Sequence, residues 1–85
     1  MAAYKLLIKP SAVKELAEVD KRFRPRIVKR IEALSNAPRP AGSEKLSGDE
    51  KYRVRQGPYR IVYAIDDRAR TVLIVKIGQR REVYR

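Results

Sequence analysis

Apolar and polar side chains alternate over residues 4–9. Tyr4, Leu6 and Ile8 fall on one face and Lys5 and Lys9 on the other, which predicts a strand. Pro10 and Ser11 end it, and the Ser11 hydroxyl is suited to cap a following helix. Val13, Leu16 and Ala17 then recur at i, i+3, i+4, the spacing of a short amphipathic helix over residues 11–20. After a break near Asp20-Lys21, a second helix runs to about Ser35. Its apolar stripe is Phe23, Ile27, Ile31 and Leu34, and Pro25 fits its first turn. The opposite face carries Arg22, Arg26, Lys29 and Arg30. That face is either solvated or a weak, non-specific contact with a polyanion or a protein partner.

Two prolines in residues 36–42 exclude regular structure there. Leu46, Ser47 and Gly48 lead into a hairpin whose strands are residues 51–56 and 59–65, closed by Gly57-Pro58. Residues 66–70 form a polar turn, and Asp66-Asp67 reads as part of that turn rather than as a magnesium ligand pair. Residues 71–77 (TVLIVKI) are the most apolar run and predict an interior strand. The order is β-α-α-β-β-β. It defines an α+β fold in which an N-terminal strand and a helical hairpin precede an antiparallel three-strand meander, the helices covering one sheet face. Neither a repeat nor a long linker divides residues 1–85, so one domain is expected.

Charge changes the picture. Lys and Arg number 21 against 10 Asp and Glu, a formal +11, and such an excess favours an anionic partner. Cysteine and histidine are both absent, so disulfides, a transition-metal site and an ordinary imidazole base are not expected, and no cofactor is implied. No apolar run approaches a membrane span, and residues 1–11 lack a signal-peptide core, which together fit a cytoplasmic protein with no membrane role.

A two-residue Gly57-Pro58 loop pairs Val54 with Ile61 and Tyr52 with Tyr63 on the helix-covered side. It leaves Arg53, Arg55 and Arg60 on the other, with Arg55 directly opposite Arg60. Like charges facing across a sheet are destabilising, so three of them call for a reason, and a phosphate is one. Lys51 lies on the same alternation. Arg80, Arg81 and Tyr84 follow in the tail IGQRREVYR. Guanidinium groups bind phosphate bidentately and stabilise the charge that develops as oxygen attacks phosphorus, and a phenol can stack on a base or exchange a proton. RNA carries its own nucleophile, the 2′-hydroxyl, so such a site needs no metal. The same pattern also fits a plain solvated basic face, with Tyr84 capping the core and Tyr59 and Tyr63 packing. Glu15 and Glu18 beside Lys14 read as surface charge.

At LSGDEKYRVRQGPYRIVYAID and VKIGQRREVYR the chain resembles the RelE branch of the RelE/ParE toxin superfamily. The GxYRxVY-type hairpin followed by an IGxRxxVY-type end is specific when both occur together. The resemblance implies a microbial-RNase-like fold and a ribosome-dependent, metal-independent endoribonuclease that cleaves A-site mRNA and so inhibits translation. It implies phosphate-binding and catalytic roles for Arg53 and Arg55, transition-state stabilisation by Arg60, acid or charge-stabilising work by Arg80, and stacking or proton transfer by Tyr84. Arg81 and Lys51 add phosphate contacts. Some relatives have lysines where this chain has Arg53 and Arg55, and arginine cannot serve as a base, which leaves Tyr84 or, less directly, Lys51. The implied partners are the ribosome, mRNA and a RelB-like antitoxin with an acidic or amphipathic segment. The toxin would be a monomer alone and a hetero-oligomer with antitoxin. Relatives often carry a further C-terminal helix beyond the position of Arg85; without one, inhibition would come from direct blockage or charge neutralisation. Two other readings remain: a ParE-like gyrase inhibitor that is not a nuclease, or a basic nucleic-acid-binding module.

Overall fold

A computed structural model of the chain describes residues 3–46 and 50–79. Strand β1 (Lys5–Ile8) is followed by helices α1 (Pro10–Ala17) and α2 (Arg24–Asn36), then strands β2 (Glu44–Lys45), β3 (Lys51–Gln56), β4 (Tyr59–Asp66) and β5 (Thr71–Gln79). The five strands form one sheet in the order β1-β5-β4-β3-β2. The β3–β4–β5 meander is antiparallel, as the alternation predicts, and β1 pairs parallel to β5 from Lys5↔Thr71 to Ile8↔Ile74. This is the expected α+β architecture with one added edge strand, β2. Two residues, both exposed and charged, carry no alternation that would reveal it.

The core lies between the helices and one sheet face. Ile27, Ile31 and Leu34 of α2 meet Val54, Tyr59, Ile61, Tyr63, Ile65, Val72, Ile74 and Ile77. A register shift at Val62/Tyr63, where Tyr63 pairs with Ile74 and Val62 with Lys76, places one extra residue in β5. The bulge changes the strand's phase, so Ile74 and Ile77, three apart, both reach the core.

Helix α1 differs from its predicted phase. Val13 is 51% exposed and Ala17 is also exposed, while Ala12 and Val19 are buried and Leu16 packs beside them. The buried stripe is Ala12, Leu16 and Val19, at i, i+4, i+7, and the small Ala12 lets the helix lie close to the sheet. Ser11 is not the cap. The N-cap is Lys9, with no side-chain hydrogen bond, and Pro10 occupies the first turn, where a missing N–H costs nothing. Arg24 joins the helices by donating from Nη2 to the carbonyls of Ala17 and Val19, each at 2.9 Å.

The loop between α2 and β2 is held from three sides. Tyr63 Oη donates to the Pro38 carbonyl at 2.7 Å. Arg39 donates to Asp67 at 2.9 and 3.3 Å and to Tyr52 Oη at 3.1 Å. Tyr4 Oη donates to the same Asp67 at 2.7 Å. Asp66 accepts from the Ala69 N–H at 3.0 Å, so both aspartates serve the β4–β5 turn and its neighbours.

Candidate nucleic-acid interface

The β3–β4 register is Lys51↔Ala64 through Gln56↔Tyr59, with Arg53 opposite Val62 and Arg55 opposite Arg60. The turn that sets it has Gly57 at φ +59°, and Pro58 must keep a negative φ, which is the pattern of a type II′ hairpin. Alternation then places Arg53, Arg55 and Arg60 on the face away from the helices, while Val54, Ile61, Tyr52 and Tyr63 take the covered face as predicted.

The three arginines do not share one environment. Arg55 is exposed, Arg53 is half-buried and Arg60 is 1% exposed. The expectation that Arg60 stands open is therefore corrected. Its strand is interior, flanked by β3 and β5, and beside it Val62 is also buried. Opposite Arg60 on β5 stands Gly78, which has no side chain to occupy the space over the sheet. Lys51, at the start of β3, is half-buried.

Strand β2 brings a carboxylate into this group. Glu44 pairs with Arg53 across the β2–β3 ladder, and its Oε1 accepts from Arg53 Nε at 2.8 Å and lies 2.7 Å from Nη2. The Arg53 hydrogen bond, reinforced by the charges of Arg53, Arg55 and Arg60, holds the Glu44 carboxyl below its ordinary range. Nothing in the pattern of the sequence points to Glu44, because β2 is too short to read.

Helix α2 contributes to the same region. Arg30, Gly42, Glu44, Arg53 and Arg55 line a cavity of about 250 Å³. Arg30 Nε is buried without a hydrogen-bond partner. At Gly42, with φ +92°, an added Cβ would sit 3.8 Å from Arg30 Nη2. A shallower groove of about 430 Å³ lies between Arg26, Lys29, Arg30, Ala33 and Gln56, so Arg30 borders both concavities. Arg26 and Lys29 are exposed on α2. Arg22 precedes the helix and is ion-paired with Asp20 at 3.1 Å, outside both.

Tyr59 and Tyr63 pack. The Tyr59 ring lies 5.7 Å from Phe23, and Tyr63 stacks on Tyr52 at 5.9 Å. Burial is the main cause that pushes the Tyr63 hydroxyl above its ordinary range. Glu15 is more than surface charge: its Oε1 accepts from the Ile77 N–H at 2.9 Å and its Oε2 meets Lys76 Nζ at 3.1 Å. Arg80, Arg81 and Tyr84 lie outside the described residues, as do Ser47 and Gly48. Among the described residues no cluster of three or more Asp or Glu side chains is placed to hold a metal ion, and no helix is long and apolar enough to cross a membrane.

A mixed five-stranded sheet covered on one face by two helices, with a basic opposite face, is an architecture found in small bacterial and archaeal toxins. The RelBE2 toxin–antitoxin complex of Mycobacterium tuberculosis contains a chain with 26% identity and a TM-score of 0.80, covering 94% of each chain. The archaeal RelE–RelB complex of Pyrococcus horikoshii gives 27% identity and a TM-score of 0.78, covering 94% of this chain and 97% of that one. The RelB–RelE complex of Methanococcus jannaschii gives 27% and 0.75, covering 92% and 94%. No curated protein matches. The family described as "ParE toxin of type II toxin-antitoxin system, parDE" matches residues 6–84, and the chain belongs to that family. It is a toxin of a type II toxin–antitoxin system with a RelE-like fold.

Proposed function

We propose that this toxin is a metal-independent endoribonuclease that cuts mRNA in the ribosomal A site and so stops translation. The observation that carries the reading is the arginine face of the β3–β4 hairpin, where Arg53 holds a Glu44 carboxylate oxygen at 2.7–2.8 Å and the charges of Arg55 and Arg60 act on the same carboxylate. A face that already holds one oxyanion is suited to a phosphodiester. In the reaction the 2′-oxygen attacks phosphorus, the bond to the 5′-oxygen breaks, and a 2′,3′-cyclic phosphate and a 5′-hydroxyl result. Arg53 and Arg55 hold the phosphate. Arg60 stabilises the charge on the non-bridging oxygens as it grows. Tyr84 takes the 2′-hydroxyl proton, with Lys51 as the alternative base, and Arg80 neutralises or protonates the leaving 5′-oxygen. Arg81 adds a phosphate contact. The ribosome positions the substrate, which so small a protein cannot do alone.

A RelB-like antitoxin is the expected partner, since the structural neighbours are toxins solved with RelB. A complementary acidic or amphipathic segment that folds as it binds would suit the basic surface.

Primer extension on a defined mRNA, with ribosomes stalled at a known codon, tests the reading. The wild type should cut at the A-site codon only with ribosomes present, and Arg80→Ala and Tyr84→Phe should each lose that cut. A second reading, ParE-like inhibition of DNA gyrase without cleavage, is favoured by the description of the matching family. It predicts no cut under any condition, together with a DNA-damage response on expression.

A further inference from the structure

The cavity between α2 and the β2–β3 edge is not explained by the fold. Among the described residues its wall carries three guanidinium groups, from Arg30, Arg53 and Arg55, and one carboxylate, Glu44. Three like charges around one concavity repel one another unless an anion lies among them. Glu44 fills that role on one side only: one of its oxygens takes both the Nε and Nη2 hydrogen bonds of Arg53. Arg30 comes from a different element, and its buried Nε makes no hydrogen bond. The Glu44 side chain is 58% exposed on a two-residue edge strand, so it can swing away without disturbing the core.

We propose that this cavity is a phosphodiester-binding subsite in which Glu44 stands in for the phosphate until RNA displaces it, and in which Arg30 is the third phosphate ligand. An incoming phosphate takes the Arg53 Nε and Nη2 hydrogen bonds that Glu44 gives up. Its remaining non-bridging oxygen faces Arg30 and Arg55. Glu44 thus weakens binding by competition and discourages stray anions from settling on Arg53, while a polyanion with several phosphates wins the exchange. The identity of the ligand as RNA rests on the function proposed above; the cavity's preference for a phosphodiester does not.

The test is fluorescence anisotropy with a labelled 2′-O-methyl oligoribonucleotide, which has no 2′-hydroxyl and cannot be cut. Glu44→Gln should tighten binding about three- to fivefold, the range of an exposed ion pair. Glu32→Gln, an equal charge change at an exposed site on α2, should change it less than about twofold. The Glu44→Gln gain should disappear in an Arg53→Ala background, and Arg30→Ala should weaken binding about three- to tenfold. A Glu44→Gln gain that matches Glu32→Gln, or that survives in Arg53→Ala, would overturn the displacement. Wild-type affinity in Arg30→Ala would overturn the third ligand, and no binding by any variant would overturn the subsite. Because the probe carries no nucleophile, loss of ribosomal cleavage with these binding results intact would sink the nuclease reading and leave the subsite standing.

Discussion

Arg55 and Arg60 face each other directly across the β3–β4 ladder, yet one is exposed and the other is 1% exposed. Burying a guanidinium opposite a like charge opposes folding, and such features persist at sites where function needs them. Arg60→Met keeps a chain of similar length at the buried position but removes its charge and polar interactions, so it should unfold at a lower denaturant concentration than wild type, the loss being up to about 3–5 kcal/mol. In the same variant, cleavage of A-site mRNA should fall by about 10²–10³, the usual cost of one charge-stabilising donor. A variant that loses stability and keeps activity would assign Arg60 to the fold.

The hairpin turn offers a cleaner test of register. Gly57 sits at φ +59°, and a Cβ there would meet Phe23 at 3.5 Å, an ordinary contact. The penalty for Gly57→Ala is therefore conformational, about 1–2 kcal/mol for a left-handed residue with a side chain. Chemical denaturation should show that loss with an unchanged m-value. A larger loss, or a changed m-value, would mean that the strands re-register.

Much of this was legible in the residue pattern, and the exceptions have physical causes. The 2.0 and 3.6 periods of β3 and α2 survive because each buries one face, whereas the interior strand β4 is buried on both. Helix α1 misled because its most buried residue, Ala12, is small, while the larger Val13 beside it is exposed. Strand β2 and its Glu44 were invisible because two charged residues have no period. The pairing of Arg55 with Arg60 follows from a two-residue loop, but the burial of Arg60 depends on what surrounds an interior strand, and sequence alternation does not report that. Glu15 looked like surface charge because its acceptor role is set by β5, 62 residues away.

Asp67 ties β1, the α2–β2 loop and the β4–β5 turn together, and its effect should depend on pH. Hydrogen bonds from Arg39, and next from Tyr4, hold its carboxyl below the ordinary value of 3.8. A depressed acid stabilises the fold fully above its ordinary value and loses that contribution as the pH falls towards the depressed one. The Asp67 hydrogen bond raises Tyr4 above 10.0, and a raised phenol stabilises the fold below that value and stops doing so above it. Asp67→Asn should thus lower the melting temperature by a similar amount from about pH 5 to about pH 9. The gap should close at both extremes. A gap of constant size down to about pH 2 would show that the carboxylate charge is not what matters.

Glu15 protects the far end of β5. Strand β1 ends at Ile8, whose partner is Ile74, so beyond that point no strand among the described residues neighbours β5 on this edge. The Glu15 carboxylate takes the place of a strand there, accepting the Ile77 N–H and meeting Lys76. Glu15→Gln keeps an acceptor for the N–H and gives up only the exposed ion pair, so it should cost less than about 1 kcal/mol. Glu15→Ala leaves a part-buried N–H without its acceptor and should cost about 1–3 kcal/mol. Hydrogen exchange distinguishes this from general loosening: the Ile77 amide should exchange faster in the alanine variant than in the glutamine one, with the Ile61 amide in the core changed only as far as global stability changes. Ile77 lies three residues before Arg80 in the chain, so Glu15→Ala should also lower cleavage at temperatures where the protein remains folded, and Glu15→Gln should largely restore it. Equal exchange at Ile77 in both variants would show that the carboxylate does not close this edge.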